Sequence, residues 1–420
     1  MKLQLPKGTR DFAPREKLAR DKIVARLTCI FQSYGFMPLE TPSFERWEVL
    51  SAKYAGGAEI LNETFRFTDQ GGRELALRYD LTVPLARYVA MNPQLKMPFK
   101  RYAIGKVFRD GPIKLGRYRE FYQCDVDTIG AASMLADAEC IRLGNAVFNE
   151  LGIKAVYSVN NRKVLEALLA KGGVPKEKLI DAMLTLDKLE KVGLDNVQKE
   201  LAEKGIPESS VTFVVALREK SNEEKLEAIK QELGEEAIKE LTELFSYLEG
   251  VPIDFNPALS RGLAYYTSTV FEAFAQNSKV TSSLSGGGRY DNMIGGLVGR
   301  GDIPAVGVSF GLEPILDVLK EQGLEEAGVV QLYVVPIRTM KESAGIAEQL
   351  RAAGINVALD LKGRSISKNL EYANSEGIPF VVIVGPKELE AGTVKLRDMK
   401  AGTEAELSVE EVAQRVKAAR

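Results

Sequence analysis

Residues 100–130 read KRYAIGKVFRDGPIKLGRYREFYQCDVDTIG, with Lys100 at the start and Gly130 at the end. Two runs of period-two alternation flank a loop holding Gly111, Pro112 and Gly116, and the spacing predicts a β-hairpin. Successive strand side chains point to opposite faces. Arg117, Arg119, Gln123 and Asp127 therefore share one face, and Tyr118, Tyr122 and Val126 take the other. Two guanidiniums, an amide and a carboxylate make no core. They form either the solvated face of a hairpin or the floor of a groove for a charged ligand. The cations lie near the loop, and the amide and acid lie further along the same strand. That order suits an anion at one end of a groove and an amine or ring nitrogen at the other.

Composition narrows the chemistry. A chain of 420 residues exceeds one ordinary core, so two or three domains are expected. An apolar content of 45 % with 27 % charged residues is that of a soluble globular protein, and no apolar run is long enough to span a bilayer. The N-terminus carries no signal-like segment, and Cys29, Cys124 and Cys140 have no CxxC spacing. A reducing, cytoplasmic setting without a zinc site is the expectation. Net charge is −2, so a nucleic-acid partner must be held by local basic patches. The chain contains no histidine. Ser-His and Cys-His nucleophiles, imidazole bases and histidine metal ligands are excluded. What remains is chemistry done by carboxylates, Arg, Lys, Tyr and backbone, through positioning and charge stabilisation.

Outward from the hairpin, the sequence predicts a helix from about Pro14 to Tyr34, stopped by Gly35. Gly35–Glu45 reads as an extended segment that Pro38 and Pro42 confine to a sheet edge, where a second subunit can cover it. A further hairpin is expected over Glu63–Arg73, a strand over Leu75–Arg78 and a helix from Thr82. Helix Ser133–Leu151 and strand Lys154–Val159 follow. From about Asn160 to Leu248 the texture becomes one of Lys/Glu-rich amphipathic helices, read as an insertion. Strand texture returns at Ser260–Phe274, then at SGGGRYD and AVGVSFG, the last leading into a helix. From about Gly328 a separate α/β unit has apolar runs that read as parallel or mixed strands. Lys362, Arg364, Lys368, Lys395 and Arg397 lie in or near its loops.

These pieces resemble the histidyl-tRNA synthetases, which are class II aminoacyl-tRNA synthetases. The resemblance is carried by KGTRD, GFMPLETPSFE, LRYDLTVPLAR, VFRD…GRYREFYQCDVD, LSRGLAYYTSTVFE, GGGRYD and FGLEP, in the family's order and over nearly the whole chain. It implies an α+β fold, an antiparallel sheet flanked by helices. The implied catalytic domain covers residues 1–160 and 249–325, the helical insertion 161–248, and an α/β anticodon-binding domain 328–420. It also implies a reaction: histidine and ATP give histidyl-adenylate and pyrophosphate, and the histidyl group passes to the end of tRNA(His). ATP is expected to arrive with Mg2+ and without a dedicated protein metal cage, and a homodimer is expected.

The resemblance also implies roles for individual residues. Arg109 and Arg261 fall to the α-phosphate and the substrate carboxylate. Asp80, Thr82 and Gln123 fall to the α-amino group, and Asp127 and Tyr266 to the two ring nitrogens. Tyr265 and Tyr290 line the histidine pocket, and Arg117, Arg119 and Arg289 are candidates for the outer phosphates or the adenine. On a regular strand Arg261 and Tyr266 would face opposite ways, unless Gly262 hosts a bulge. Where the family's third motif closes on an arginine, this chain has Pro314, which suits the first turn of a helix but offers a phosphate nothing. The rival reading is a histidine-sensing paralogue, the regulatory subunit of an ATP phosphoribosyltransferase. Such a paralogue should lack the C-terminal domain and have eroded motifs.

Overall fold

The computed structural model describes residues 3–52, 61–113, 118–261, 265–299, 301–324 and 328–419. The chain divides into two compact units, one formed by residues 1–11 and 20–324, the other by residues 12–19 and 325–420.

Among the described residues, the first unit is organised on eleven strands. In chain order they are β1 (Met37–Pro38), β2 (Phe44–Arg46), β3 (Arg66–Thr68), β4 (Glu74–Leu77), β5 (Phe99–Phe108) and β6 (Glu120–Ile129). β7 (Ala155–Asn161), β8 (Ile253–Phe255), β9 (Thr269–Ala275), β10 (Ser285–Arg289) and β11 (Ala305–Gly311) complete the set. Eight of them form one sheet in the order β1-β5-β6-β11-β10-β9-β7-β8. Its interior pairings are antiparallel, and only the outermost strands β1 and β8 pair in parallel. Pro38 sits at that edge, where its missing N–H breaks no ladder. β2, β4 and β3 make a small separate antiparallel sheet.

The opening hairpin is present as β5 and β6, paired from Phe99↔Ile129 to Phe108↔Glu120. Its alternation sorts the two faces as expected. Tyr122 and Val126 turn to a core that also holds Phe31, Phe148, Tyr157 and Phe310, while Gln123 and Asp127 face the other way. Helices Pro14–Ser33, Met134–Glu150 and Leu312–Glu321 bury their apolar stripes in that core. Ser133 caps the second of these, its side chain accepting from the Leu135 N–H. Glu313, in the first turn of the third, is buried in an ion pair with Arg20 at 2.8 Å. Pro314 follows it in that same first turn.

One expectation changes. Ser260–Phe274 is not strand throughout: β9 begins at Thr269. Ser260, Arg261 and Thr267 are anchored by other means. The Ser260 hydroxyl donates to Met183 O, the Arg261 N–H to Asp187 Oδ1, and the Thr267 N–H to Arg289 O. Arg261 has φ +53°, incompatible with a strand. The parity conflict between Arg261 and Tyr266 therefore dissolves; Gly262 lies outside the described residues. The Lys/Glu-rich stretch is helical as expected, and its run EEKLEAIKQELGEEAIKELTELFSYL forms the two helices Asn222–Leu233 and Glu235–Ser246, split at Gly234 with φ +92°. They belong to a segment with its own core around Leu165, Leu186, Leu201 and Leu241.

The second unit carries β12 (Leu332–Pro336), β13 (Val357–Leu359), β14 (Phe380–Val384), β15 (Val394–Asp398) and β16 (Glu404–Leu407) in the order β13-β12-β14-β15-β16. The first three are mutually parallel and the last two antiparallel, a mixed sheet. β16 escapes the sequence reading because it is a short, half-exposed edge strand with no apolar run.

Candidate active site

On the polar face of the large sheet, β6, β10 and β11 form the floor of a cavity of about 320 Å³. The register explains its shape. Asp127 lies opposite Arg101 on one side and Gly307 on the other, and Gly307 in turn lies opposite Gly288. Strand neighbours without side chains leave room for long polar groups to lie flat. A Cβ at Gly307 would overlap the Asp127 carboxylate, and one at Gly286 would overlap the Arg261 guanidinium. One at Gly288 would meet the Tyr266 ring at 2.9 Å. The glycines of SGGGR and AVGVSFG are the bed of the pocket.

At the deep end, Asp127 is almost fully buried. The Tyr290 hydroxyl donates to its Oδ1, and Arg101 Nη2 stands 2.8 Å from its Oδ2. Arg101 is 1 % exposed and also donates to Leu81 O. Burial and the Asp127 charge push the Tyr290 phenol well above its usual range, so it stays a donor. Tyr265, Tyr266 and Tyr290 form an aromatic wall, with ring centroids 4.6 Å apart for the first pair and 6.1 Å between Tyr265 and Tyr290.

Gln123 and Asp125 follow along β6. Gln123 Nε2 donates to Ser309 Oγ at 3.0 Å, while its Oε1 is buried without a hydrogen-bond partner among the described residues. Asp125 is buried, and desolvation pushes its carboxyl up to about 7; Arg101 and a hydrogen bond from Ser309 oppose the rise, and Asp127 and Asp80 add to it. Asp80 lines the same cavity and caps helix Thr82–Met91, its Oδ1 accepting from the Thr82 and Val83 N–H groups at 3.1 and 3.0 Å.

Arg109 and Arg261 bring positive charge to the cavity. The Arg109 guanidinium is sandwiched by aromatic faces, 4.2 Å from the Tyr79 ring centroid and 5.0 Å from that of Phe121. Its Nε donates to Tyr79 O, and no carboxylate of the described residues is ion-paired with it. The Arg261 Nε stands 3.5 Å from Glu272, and its Nη1 donates to Phe271 O. Both guanidiniums thus keep donors for a ligand.

Of the residues singled out in the sequence, Asp80, Thr82, Arg109, Gln123, Asp127, Arg261, Tyr265, Tyr266 and Tyr290 are brought together around this cavity. Arg117 lies outside the described residues. Arg119 is turned to a 2.9 Å ion pair with Asp110 and does not line the cavity. Arg289 is the clearest departure. It is 3 % exposed and directs its donors to Asp137, Asp291 and the carbonyls of Ala131 and Ser133, which leaves nothing for a phosphate. Among the residues missed are Asp125, Ser309, Glu63 and Tyr79 on the cavity wall, and Arg101 behind Asp127. Asp125 shares the parity of Gln123 and Asp127, so the strand pattern alone could have found it. Arg101 needed the β5–β6 register.

A second cavity, of about 610 Å³, shares Tyr265 and Tyr266 with the first and is also lined by Arg162, Lys163, Glu166 and Asp291. Among the described residues no group of three or more Cys, Asp or Glu side chains is arranged to hold a metal ion, and no helix is long and apolar enough to cross a membrane.

Comparison with known proteins bears on this geometry. A family model described as histidyl-tRNA synthetase matches residues 8–315, and one described as anticodon binding domain matches residues 331–419. A Histidine--tRNA ligase 1 of Bacillus cereus is 43 % identical over 421 residues, covering 97 % of this chain and 98 % of that protein. The Histidine--tRNA ligase of Aeropyrum pernix is 39 % identical over 416 residues, 94 % of each chain. A crystal structure of histidyl-tRNA synthetase from a Nostoc species superposes with a TM-score of 0.84 at 30 % identity, covering 100 % of both chains. A structure described as an ATP phosphoribosyltransferase regulatory subunit/histidyl-tRNA synthetase from Bacillus halodurans superposes at 0.77 with 22 % identity, covering 91 % of this chain and 98 % of that one. At that identity it shows the shared fold alone, and nothing here favours a regulatory paralogue.

Proposed function

This chain belongs to the histidyl-tRNA synthetase family, the ATP-consuming ligases that join histidine to tRNA, and from that premise we propose how its cavity divides the work. Histidine lies along β6 with its ring at the Asp127–Tyr290 end and its carboxylate toward Arg109 and Arg261. The observation that carries this reading is the polarity of the cavity. A buried acid with a fixed hydroxyl stands at one end, and two guanidiniums that hold no tight carboxylate stand at the other.

The substrate carboxylate attacks the α-phosphate of Mg·ATP, and pyrophosphate leaves. Both reactants are anions, so their approach is opposed until positive charge stands between them. Arg109 and Arg261 supply it. The aromatic faces around Arg109 fix its plane, and the glycine bed at Gly286 lets Arg261 lie flat against β10. Asp127 accepts one ring N–H, and the Tyr266 hydroxyl meets the other nitrogen. Amino acids that leave these buried groups unpaired are rejected by the cost of that omission. Asp80, Thr82 and Gln123 receive the α-amino group. Pro314 offers no donor to the γ-phosphate, so the outer phosphates depend on other cations, Arg117 among the candidates; Arg119 could serve only by leaving its ion pair with Asp110.

The second product is histidyl-tRNA(His). The C-terminal domain, residues 328–420, meets the anticodon through its basic loops. There Arg364 stands 4.6 Å over the Tyr372 ring and Leu361 is exposed. Lys395 and Arg397 are less available, both paired with Glu404. The catalytic domain, residues 1–160 and 249–325, works as a homodimer in the cytoplasm, with residues 161–248 as an insertion. Exposed Met37, Phe44 and Phe67, on the strands β1, β2 and β3, are the kind of surface a second copy covers. Single-turnover formation of the adenylate, with and without Mg2+, tests the proposal. Arg261→Ala should slow it about 10²–10³-fold with the fold intact; an unchanged rate would remove Arg261 from the chemistry.

A further inference from the structure

We infer that Asp125 is a further acid of the substrate pocket and that its carboxylate receives the α-ammonium group of the bound amino acid. The inference rests on the reading of the cavity as the histidine site and adds a residue to it.

The placement comes from the strand. Gln123, Asp125 and Asp127 alternate onto one face of β6, and all three line the cavity. Their states differ. Asp127 already faces Arg101 and the Tyr290 hydroxyl. Gln123 has committed its amide N–H to Ser309. Beyond the bond Ser309 makes to the Asp125 carboxyl, what is left on this stretch of wall is a pair of acceptors, Gln123 Oε1 and Asp125 Oδ1, both buried and both without a hydrogen-bond partner among the described residues. Neighbouring orphaned acceptors require a ligand group that only donates. An ammonium has three donors and no acceptor, whereas a carboxylate or phosphate in this position would be repelled.

The electrostatics agree. The groups acting on Asp125 come from every element packed around it: Arg101 on β5, Asp127 on β6 itself, Ser309 on β11, and Asp80 before helix Thr82–Met91. Tyr266 and Arg78 stand close enough to interact with it as well. Burial dominates and holds the empty-pocket carboxyl near neutrality, partly protonated at about 7. A bound ammonium would hold it ionised. Affinity for the amine-bearing ligand should then rise as the pH climbs through about 7 and level off above it.

Isothermal titration of the full-length protein with histidine and with imidazole-4-propionate, which keeps ring and carboxylate and lacks the amine, separates the possibilities. Asp125→Asn should weaken histidine about ten- to hundredfold and leave imidazole-4-propionate within about twofold. Equal losses for both ligands, or no loss for histidine, would overturn the assignment. Wild-type protein gives an independent check that needs no variant. The ratio of the two affinities should grow from about pH 6 to about pH 8, and a flat ratio would overturn the assignment equally. Failure of wild-type protein to bind histidine at all would overturn the pocket itself, a different result from either.

Discussion

Gly307→Ala puts the smallest possible side chain against the deepest part of the pocket. Gly307 stands in register with Asp127, and a Cβ built there overlaps the Asp127 carboxylate and lies 2.8 Å from Val126 O. The backbone carbonyl cannot yield, so the carboxylate must. It is held by Tyr290 and by Arg101, whose side chain is 1 % exposed. Full removal of one partner from a buried ion pair costs about 3–5 kcal/mol, and forcing one extra carbon into a packed site costs about 1–3 kcal/mol. The carboxylate moves and does not vanish, so the destabilisation should be about 2–4 kcal/mol. Function should suffer separately. An ångström-scale shift of the ring acceptor should raise the KM for histidine about 10²-fold, with the KM for ATP little changed. Histidine-dependent pyrophosphate exchange measures both constants, and urea unfolding measures the stability. A folded variant with wild-type KM for histidine would refute the claim that Asp127 must lie over Gly307 to bind the ring.

Arg109→Ala should lower kcat for adenylate formation about 10²–10³-fold while leaving the melting temperature unmoved, because its contacts are two aromatic faces and one carbonyl; a melt and a single-turnover assay read the two. Arg289→Met should do the reverse. It strands Asp137, which is 0 % exposed, and should cost about 3–5 kcal/mol in denaturant unfolding with an unchanged KM for ATP. Gly345→Ala lies on an exposed turn of helix Met340–Ala352, where an added Cβ meets nothing within 4 Å. It should stabilise the second unit by about 0.5–1 kcal/mol, seen as a raised unfolding midpoint.

The hairpin at the centre of the fold was legible because strand alternation is a local rule: once β5 and β6 are recognised, the faces of Tyr122, Gln123, Val126 and Asp127 follow. What the rule does not carry is register. Arg101 reads as one more cation until it is seen opposite Asp127, and the glycines of β10 and β11 gain their meaning only from what lies across the ladder. Arg289 shows the converse failure. A motif position says that an arginine stands there, but whether its donors point to a phosphate or to Asp137 depends on helix Met134–Glu150, more than a hundred residues away in the chain. Asp125 could have been found from parity alone. The placement of Ser260 and Arg261 could not, because they are held by Met183 and Asp187, contributed by the inserted helices.

The central claim, that this cavity selects and activates histidine without a histidine of its own, meets its most direct test in pyrophosphate exchange run across the twenty amino acids. Exchange into ATP with histidine alone is the result this account predicts. Histidine that binds without exchange would contradict it, since the two arginines would then hold the substrate without bringing its carboxylate to the α-phosphate.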